Sequence, residues 1–194
     1  MAQKNLLAGE AVFTLDNLLT PDECAAYIAR SEGIGYDAAT ISTGFGQERV
    51  ADVRNNDRVI LDEAAVSEAL WPRVQPYLPR ELERRTLEGL NERWRFYRYD
   101  PGQRFDWHLD GYYQRENGSR SLLTLLFFLN DDFEGGETRF RFSDGANMQE
   151  FAVKPVRGMA LVFRHAIWHE GSAVTRGRKY VLRTDVMYSP PGRR

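Results

Sequence analysis

"RWRFYRYDPGQRFDWHLDG", Arg93–Gly111, and the "SLLTLLFFLN" that follows it at Ser121–Asn130 decide the fold. In the first stretch bulky residues alternate. Laid out as a strand, Trp94, Phe96 and Arg98 face one side and Arg95, Tyr97 and Tyr99 the other. The second stretch is a near-continuous apolar run, as expected of a strand covered on both faces. Five further strand segments follow downstream, among them "ETRFRF", "GMALVFRH" and "KYVLRTDVMYS", each bounded by Gly, Pro or polar turns. About eight short strands with little helix between them point to an antiparallel sandwich or jelly roll rather than a parallel sheet.

Upstream of residue 90 the signals are helical. "LTPDECAAYIAR" places Thr20 before Pro21 and three residues ahead of Glu23, a capping box with proline at the first helical position. Cys24 then falls on the apolar stripe as a small buried residue. A second helix is expected from Leu61 to about Tyr77, with Val66, Leu70 and Val74 on one stripe and Pro72 kinking or ending it. Between the two lies a long loop rich in Gly, Ser, Thr and Asn, in which one or two strands are expected. Its stretch from Gly33 to Arg58, carrying Arg54, Asn55 and Asn56, is a candidate lid over a substrate.

The chain has 194 residues, 42% hydrophobic and 28% charged, with a formal net charge of −2. That is the composition of one globular domain, without the charge excess that nucleic acid or an acidic membrane would call for. The lone Cys24 excludes an intrachain disulfide framework, and no signal peptide or membrane-length apolar run is visible. These features lead us to expect a cytoplasmic protein with no nucleic-acid or membrane partner. They leave its oligomeric state open.

Only three histidines occur: His108, His165 and His169. In "FDWHLDG" a regular strand would put Asp106, His108 and Asp110 on one face. Two histidines and one carboxylate form the triad that holds non-haem Fe(II) and leaves three coordination positions open. His108 and an alternate aspartate on the same strand face have suitable spacing for two ligands. The third must come from elsewhere. Periodicity does not choose between Asp106 and Asp110, nor between His165 and His169, because each pair shares a face.

The run from "YRYDPGQRFDWHLDG" through "LLTLLFFLNDDFEGGETRF" to "VKPVRGMALVFRHAIWHEGSAVTRGRKYVLRTDVMY" resembles the catalytic domain of Fe(II)/2-oxoglutarate dioxygenases, in the prolyl 4-hydroxylase-like branch. The resemblance covers about residues 91 to 189. It rests on Tyr99 and Gly102 ahead of His-x-Asp, the "LN…EGGET" turn, and "H.G..V..G.KY". It implies a mainly β double-stranded β-helix at 91–194, with 1–90 as a helical and loop support of the same domain. It implies Fe(II) on His108, Asp110 and His169, with His165 and Asp106 matching no ligand position.

2-Oxoglutarate and O2 are implied as co-substrates, and ascorbate as an accessory reductant. The far carboxylate of 2-oxoglutarate needs a cation in a dry pocket. Lys179 matches that position, with Tyr99 and Thr138 as hydrogen-bonding neighbours. Lys179 and Arg183 are four residues apart, roughly 13 Å along a strand, too far to share one carboxylate. Arg183 is then a partner of Asp185 or a candidate substrate contact, as are Arg54, Asn56 and Asp106. Alternation turns Trp107 and Trp168 away from the metal, as packing residues.

The implied activity is hydroxylation of an unactivated C–H bond of a peptide or protein side chain, or of a small molecule, releasing succinate and CO2. Asp110 argues against a halogenase, in which a small residue vacates that place. A cupin-type oxygenase or isomerase working without 2-oxoglutarate is the rival enzyme, and a jelly-roll binding module without chemistry is the rival of another class. Lys179 speaks against the first, and the complete triad against the second.

Overall fold

The computed structural model describes residues 2–43, 46–50, 52–143, 145 and 147–192. Its centre is the strand Arg120–Phe128, hydrogen-bonded on one edge to Ala160–Arg164 and on the other to Lys179–Tyr188, both antiparallel. Arg93–Tyr99 pairs with Lys179–Tyr188 and is flanked in turn by Asp57–Asp62. Val12–Asp16 closes the other side against Ala160–Arg164, and the whole makes a ten-stranded sheet. A smaller sheet runs in the order Phe105–His108, Trp168–Gly171, Thr138–Ser143, Met148–Val153. This is the double-stranded β-helix expected.

The alternation read from residues 93–99 and 121–130 explains the layers. Trp94, Phe96, Leu123, Leu125 and Phe127 face the helices, joining Cys24, Leu70 and Val74 in one core. Tyr97, Tyr99, Phe128 and Val181 face the smaller sheet, joining Phe140, Phe163 and Val153 in a second. Burying a large side chain on either face contributes about 1.5–3 kcal/mol, so both registers are strongly held.

The first helix, α1 (Pro21–Ile34), starts as expected. The Thr20 hydroxyl accepts the Glu23 N–H at 3.2 Å, and the Glu23 carboxylate accepts the Thr20 N–H at 2.7 Å. The second, α2 (Ala64–Val74), is shorter than 61–77. Pro72 lies inside it, and the chain tightens to a 3-10 turn at Gln75–Tyr77. Residues 57–62 form a strand instead, because their backbone pairs with Arg93–Tyr99. The expectation that residues 1–90 are a helical and loop support is corrected in the same way. Val12–Asp16, Asp57–Asp62 and Arg85–Leu90 are strands of the main sheet, so no structural boundary falls near residue 90.

The segment 33–58 carries short strands, as expected. Asp37–Ala38 pairs with the Asp57–Asp62 strand, and Ile41–Thr43 pairs with Gly46–Glu48. Its end is stitched beside the His108 strand: Asp106 N–H donates to Val53 O at 2.8 Å, and Arg104 N–H to the Asn55 side chain at 2.7 Å. Residues 44, 45 and 51 of the candidate lid lie outside the described residues.

Candidate metal centre

The Phe105–His108 strand pairs with Trp168–Gly171, and this register sets His108 opposite His169. Asp110 lies just beyond the strand end. The ligand atoms of His108, Asp110 and His169 all lie within 4.8 Å of one another. His108 Nε2 is 3.8 Å from Asp110 Oδ1, and His169 Nε2 is 3.6 Å from Asp110 Oδ2. Each imidazole turns its other nitrogen to a main-chain carbonyl two residues back: His108 Nδ1 to Asp106 O at 2.6 Å, His169 Nδ1 to Ile167 O at 2.9 Å. A carbonyl only accepts, so Nδ1 carries the proton and the Nε2 lone pair faces the cluster, the tautomer a metal needs.

Protonation agrees. Burial, then the nearby His169, hold His108 down to about 3. Burial also lowers His169. Burial alone would raise Asp110, but Arg183, His169 and His108 outweigh it and keep the carboxyl well below its ordinary range. Two neutral imidazoles and one carboxylate are the donor set that suits Fe(II).

The other histidine is otherwise engaged. His165 is buried, its Nδ1 2.9 Å from the Thr124 hydroxyl and its Nε2 2.9 Å from the Ser121 hydroxyl. Thr124 in turn donates to Asp110 Oδ2 at 2.5 Å. Because that hydroxyl has one proton, His165 Nδ1–H must donate to it, and Ser121 then donates to Nε2. Ser121 Oγ accepts from Tyr113 N–H at 2.9 Å. A directed chain from Ser121 through His165 and Thr124 thus orients the Asp110 carboxylate. The sequence reading missed this role for Ser121, Thr124 and His165. The available signal was a hydroxyl in the middle of an apolar run.

Asp106 is the clearest correction. The Phe105–His108 strand carries a register shift, so alternation fails there. Phe105, not Asp106, shares the site side with His108. Their rings stack at 3.5 Å between centroids. The Asp106 carboxylate accepts the Trp107 N–H at 2.8 Å and lines neither cavity of the site. Asn56 is also corrected: it is fully buried, accepts from Arg54 Nε at 2.8 Å, and holds that arginine rather than facing a substrate. Trp168 is half exposed rather than packed, while Trp107 lies beneath Arg141, whose guanidinium is 4.3 Å from the ring.

Two cavities meet at the cluster, sharing Tyr97, Phe105, His108, Asp110 and Arg183. The first ends at Lys179, Tyr99 and Thr138, between apolar walls that include Leu126, Phe128 and Phe163. Lys179 is 3% exposed and donates to Gly136 O at 2.6 Å. It makes no ion pair among the described residues, and burial, against a smaller pull from Glu137, lowers it to about 7. Gly136 has a φ of +70°, and a Cβ there would stand 3.2 Å from Lys179 Cδ, so glycine suits this close turn. A buried cation short of a counterion at the end of a dry pocket fits the far carboxylate of 2-oxoglutarate. Arg183 sits nearer the cluster. Its Nη2 is 3.0 Å from Asp110 Oδ2 and 3.3 Å from Asp185 Oδ1.

Known proteins point the same way. Residues 94–184 match the model of the 2OG-Fe(II) oxygenase superfamily. Two Arabidopsis thaliana relatives are similar over most of the chain. Prolyl 4-hydroxylase 13 is 28% identical, over 88% of this chain and 68% of its own length. Probable prolyl 4-hydroxylase 9 is 26% identical, over 85% and 64%. The chain thus spans about two thirds of the length of these relatives. Among solved structures, a Pseudomonas putida prolyl-4-hydroxylase superposes with a TM-score of 0.64 at 23% identity, covering 91% of this chain and 92% of that one.

Proposed function

We propose that this chain, whose residues 94–184 match the model of the 2OG-Fe(II) oxygenase superfamily, is such an oxygenase and hydroxylates an unactivated C–H bond with consumption of 2-oxoglutarate and O2. One observation carries the reading: two Nε2 lone pairs and the Asp110 carboxylate converge beside a pocket that ends in a buried lysine with no ion-pair partner among the described residues. His108, Asp110 and His169 would hold Fe(II), and Lys179, with Tyr99 and Thr138 beside it, would hold 2-oxoglutarate. When bound, the metal and co-substrate supply the oxidising power, and 2-oxoglutarate leaves as succinate and CO2.

The protein positions and shields. Arg183 and the Thr124–His165 chain fix the Asp110 carboxylate, which keeps one oxygen face toward the histidines. Phe105 and Phe163 flank His108 and His169 with apolar surface, which excludes water from the reacting face. Thr40, Val53, Arg54 and Arg58 of the 33–58 segment line the second cavity, through which a substrate would reach the cluster. A peptide or protein side chain and a small molecule are both within this reading, and the names of the relatives favour a prolyl residue. Cytoplasmic residence belongs to the proposal too. Among the described residues, no helix is long and apolar enough to cross a membrane. A metal oxygenase that works without 2-oxoglutarate would leave Lys179 without a task.

The test is succinate release by the Fe(II)-loaded protein under air. Wild type should form succinate from 2-oxoglutarate, and Asp110→Ala and His169→Ala should not. Turnover persisting in either purified variant would remove the assignment.

A further inference from the structure

The second cavity, of about 300 Å3, has an unusual wall for a site that takes a neutral prolyl ring. Four arginines line it: Arg54, Arg58, Arg95 and Arg183. Among the described residues, two carboxylates answer them. Arg183 reaches Asp110 and Asp185, and Arg95 reaches Asp185 at 3.1 Å. Asp110 also faces the metal cluster. Arg54 and Arg58 have no ion pair among the described residues. Arg54 gives its Nε to Asn56, and Arg58 binds the Thr40 hydroxyl at 2.9 Å.

Arg54 is 4% exposed, clamped between the rings of Tyr97 and Phe105 at 4.5 and 4.3 Å, and its Nη2 is buried without a hydrogen-bond partner among the described residues. Burial and the positive charge of Arg54 hold Arg58 below its ordinary pKa. Burying like charges together is unfavourable unless a counter-charge arrives. The guanidinium fork is shaped to receive a carboxylate or phosphate through paired hydrogen bonds.

We propose that the substrate to be oxidised carries an oxoanionic group, a carboxylate or a phosphate, which Arg58 and Arg54 bind in this cavity. This rests on the oxygenase reading above and specifies its substrate. The acidic group enters the cavity that His108 and Asp110 also line, so the oxidised carbon lies close to it in the molecule. 2-Oxoglutarate is not this ligand, because its far carboxylate belongs with Lys179, which lines only the first cavity.

The test uses the full chain loaded with Mn(II), to hold the ligands without turnover, and saturated with 2-oxoglutarate. Inorganic phosphate, acetate and, as a neutral control, acetamide are titrated by calorimetry. At least one anion should bind the wild type and acetamide should not. Arg58→Gln should weaken the anion on the order of ten- to a hundredfold, the loss of one charge-assisted contact, while 2-oxoglutarate affinity holds. Arg58→Lys, which keeps the charge, should recover part of the loss.

No anion binding, or equal binding in wild type and Arg58→Gln, overturns the inference. So does Arg58→Gln losing 2-oxoglutarate instead, since the cluster would then anchor the co-substrate. If 2-oxoglutarate fails to bind the wild type, the oxygenase reading falls, and the same anion titration on metal-free protein still decides this one. A succinate-release screen then pairs small acids, phosphate esters and Asp- or Glu-containing peptides with their amide or unphosphorylated twins. The acidic member of an active pair should be at least about tenfold better. An equally good neutral twin refutes the proposal, and the active pair shows whether the anion belongs to a small molecule or a peptide.

Discussion

Replacing Lys179 with methionine should strengthen the fold while disabling the co-substrate pocket. In the metal-free protein, Lys179 has lost its water without gaining a carboxylate, and its pKa falls from 10.5 to about 7. At about 1.36 kcal/mol per unit, the buried charge costs roughly 5 kcal/mol of stability below pH 7. The sign follows from proton counting. Between about pH 7 and 10.5 the unfolded chain holds the proton and the folded chain releases it, so wild-type stability rises with pH across that window. Methionine removes both the penalty and the slope, and it forfeits about 1 kcal/mol of hydrogen bonding to Gly136.

The variant should therefore unfold several degrees higher below pH 7 and show a flatter stability–pH curve. Toward 2-oxoglutarate the effect reverses. A buried carboxylate left without its cation costs about 3–5 kcal/mol, which raises KM for 2-oxoglutarate on the order of a hundredfold to several thousandfold. The assays are thermal unfolding of metal-free protein from acid to alkaline pH, and succinate release against 2-oxoglutarate concentration. A variant that is less stable yet keeps its KM would show Lys179 to be a structural residue, and the reasoning would fail. The same would follow if Arg183→Met, and not Lys179→Met, raised the requirement for 2-oxoglutarate.

Four other outcomes follow from the same geometry. Above about pH 7, binding of 2-oxoglutarate should take up close to one proton, read as buffer-dependent heat in calorimetry and absent in Lys179→Met. Thr124→Val breaks the link between His165 and Asp110 and should weaken Fe(II) on the order of ten- to a hundredfold with the fold retained, measured by metal competition. His108 stays neutral down to about pH 3, below the ordinary 6.5, so metal-free protein should lose stability as pH falls through that interval. His108→Phe should flatten the loss in acid denaturation curves. Arg54→Met should make 2-oxoglutarate turnover run uncoupled from product once a substrate is in hand, seen as succinate exceeding hydroxylated product.

The layered β architecture was legible where strands run straight and paired. Tyr97 and Tyr99 on one strand, and Lys179, Val181 and Arg183 on its neighbour, face the site as a period of two requires. Legibility failed where backbone pairing is irregular or non-local. The register shift between Phe105 and His108 moved Asp106 off the site side, which no spacing rule foresees. "DRVILD" at 57–62 reads ambiguously alone and becomes a strand only because Arg93–Tyr99 offers it an edge. Composition marked the 33–58 segment as a candidate lid. It did not reveal that Asn56 is buried beneath Arg54, or that four arginines converge on one cavity. The choice between His165 and His169 was also beyond periodicity. It turns on hydrogen bonding, since two hydroxyls occupy both nitrogens of His165, while His169 keeps its Nε2 toward Asp110.

The most direct test of the central claim is an anaerobic titration of 2-oxoglutarate into Fe(II)-loaded protein, followed in the visible spectrum. Chelation of a triad-bound iron by a 2-oxo acid gives a weak charge-transfer band. The account predicts that the band appears in wild type, saturates with one 2-oxoglutarate per iron, and is absent in His169→Ala. In Lys179→Met it should require far more co-substrate to reach the same height. A wild type that binds iron but develops no band, or a His169→Ala protein that develops it fully, would contradict the account.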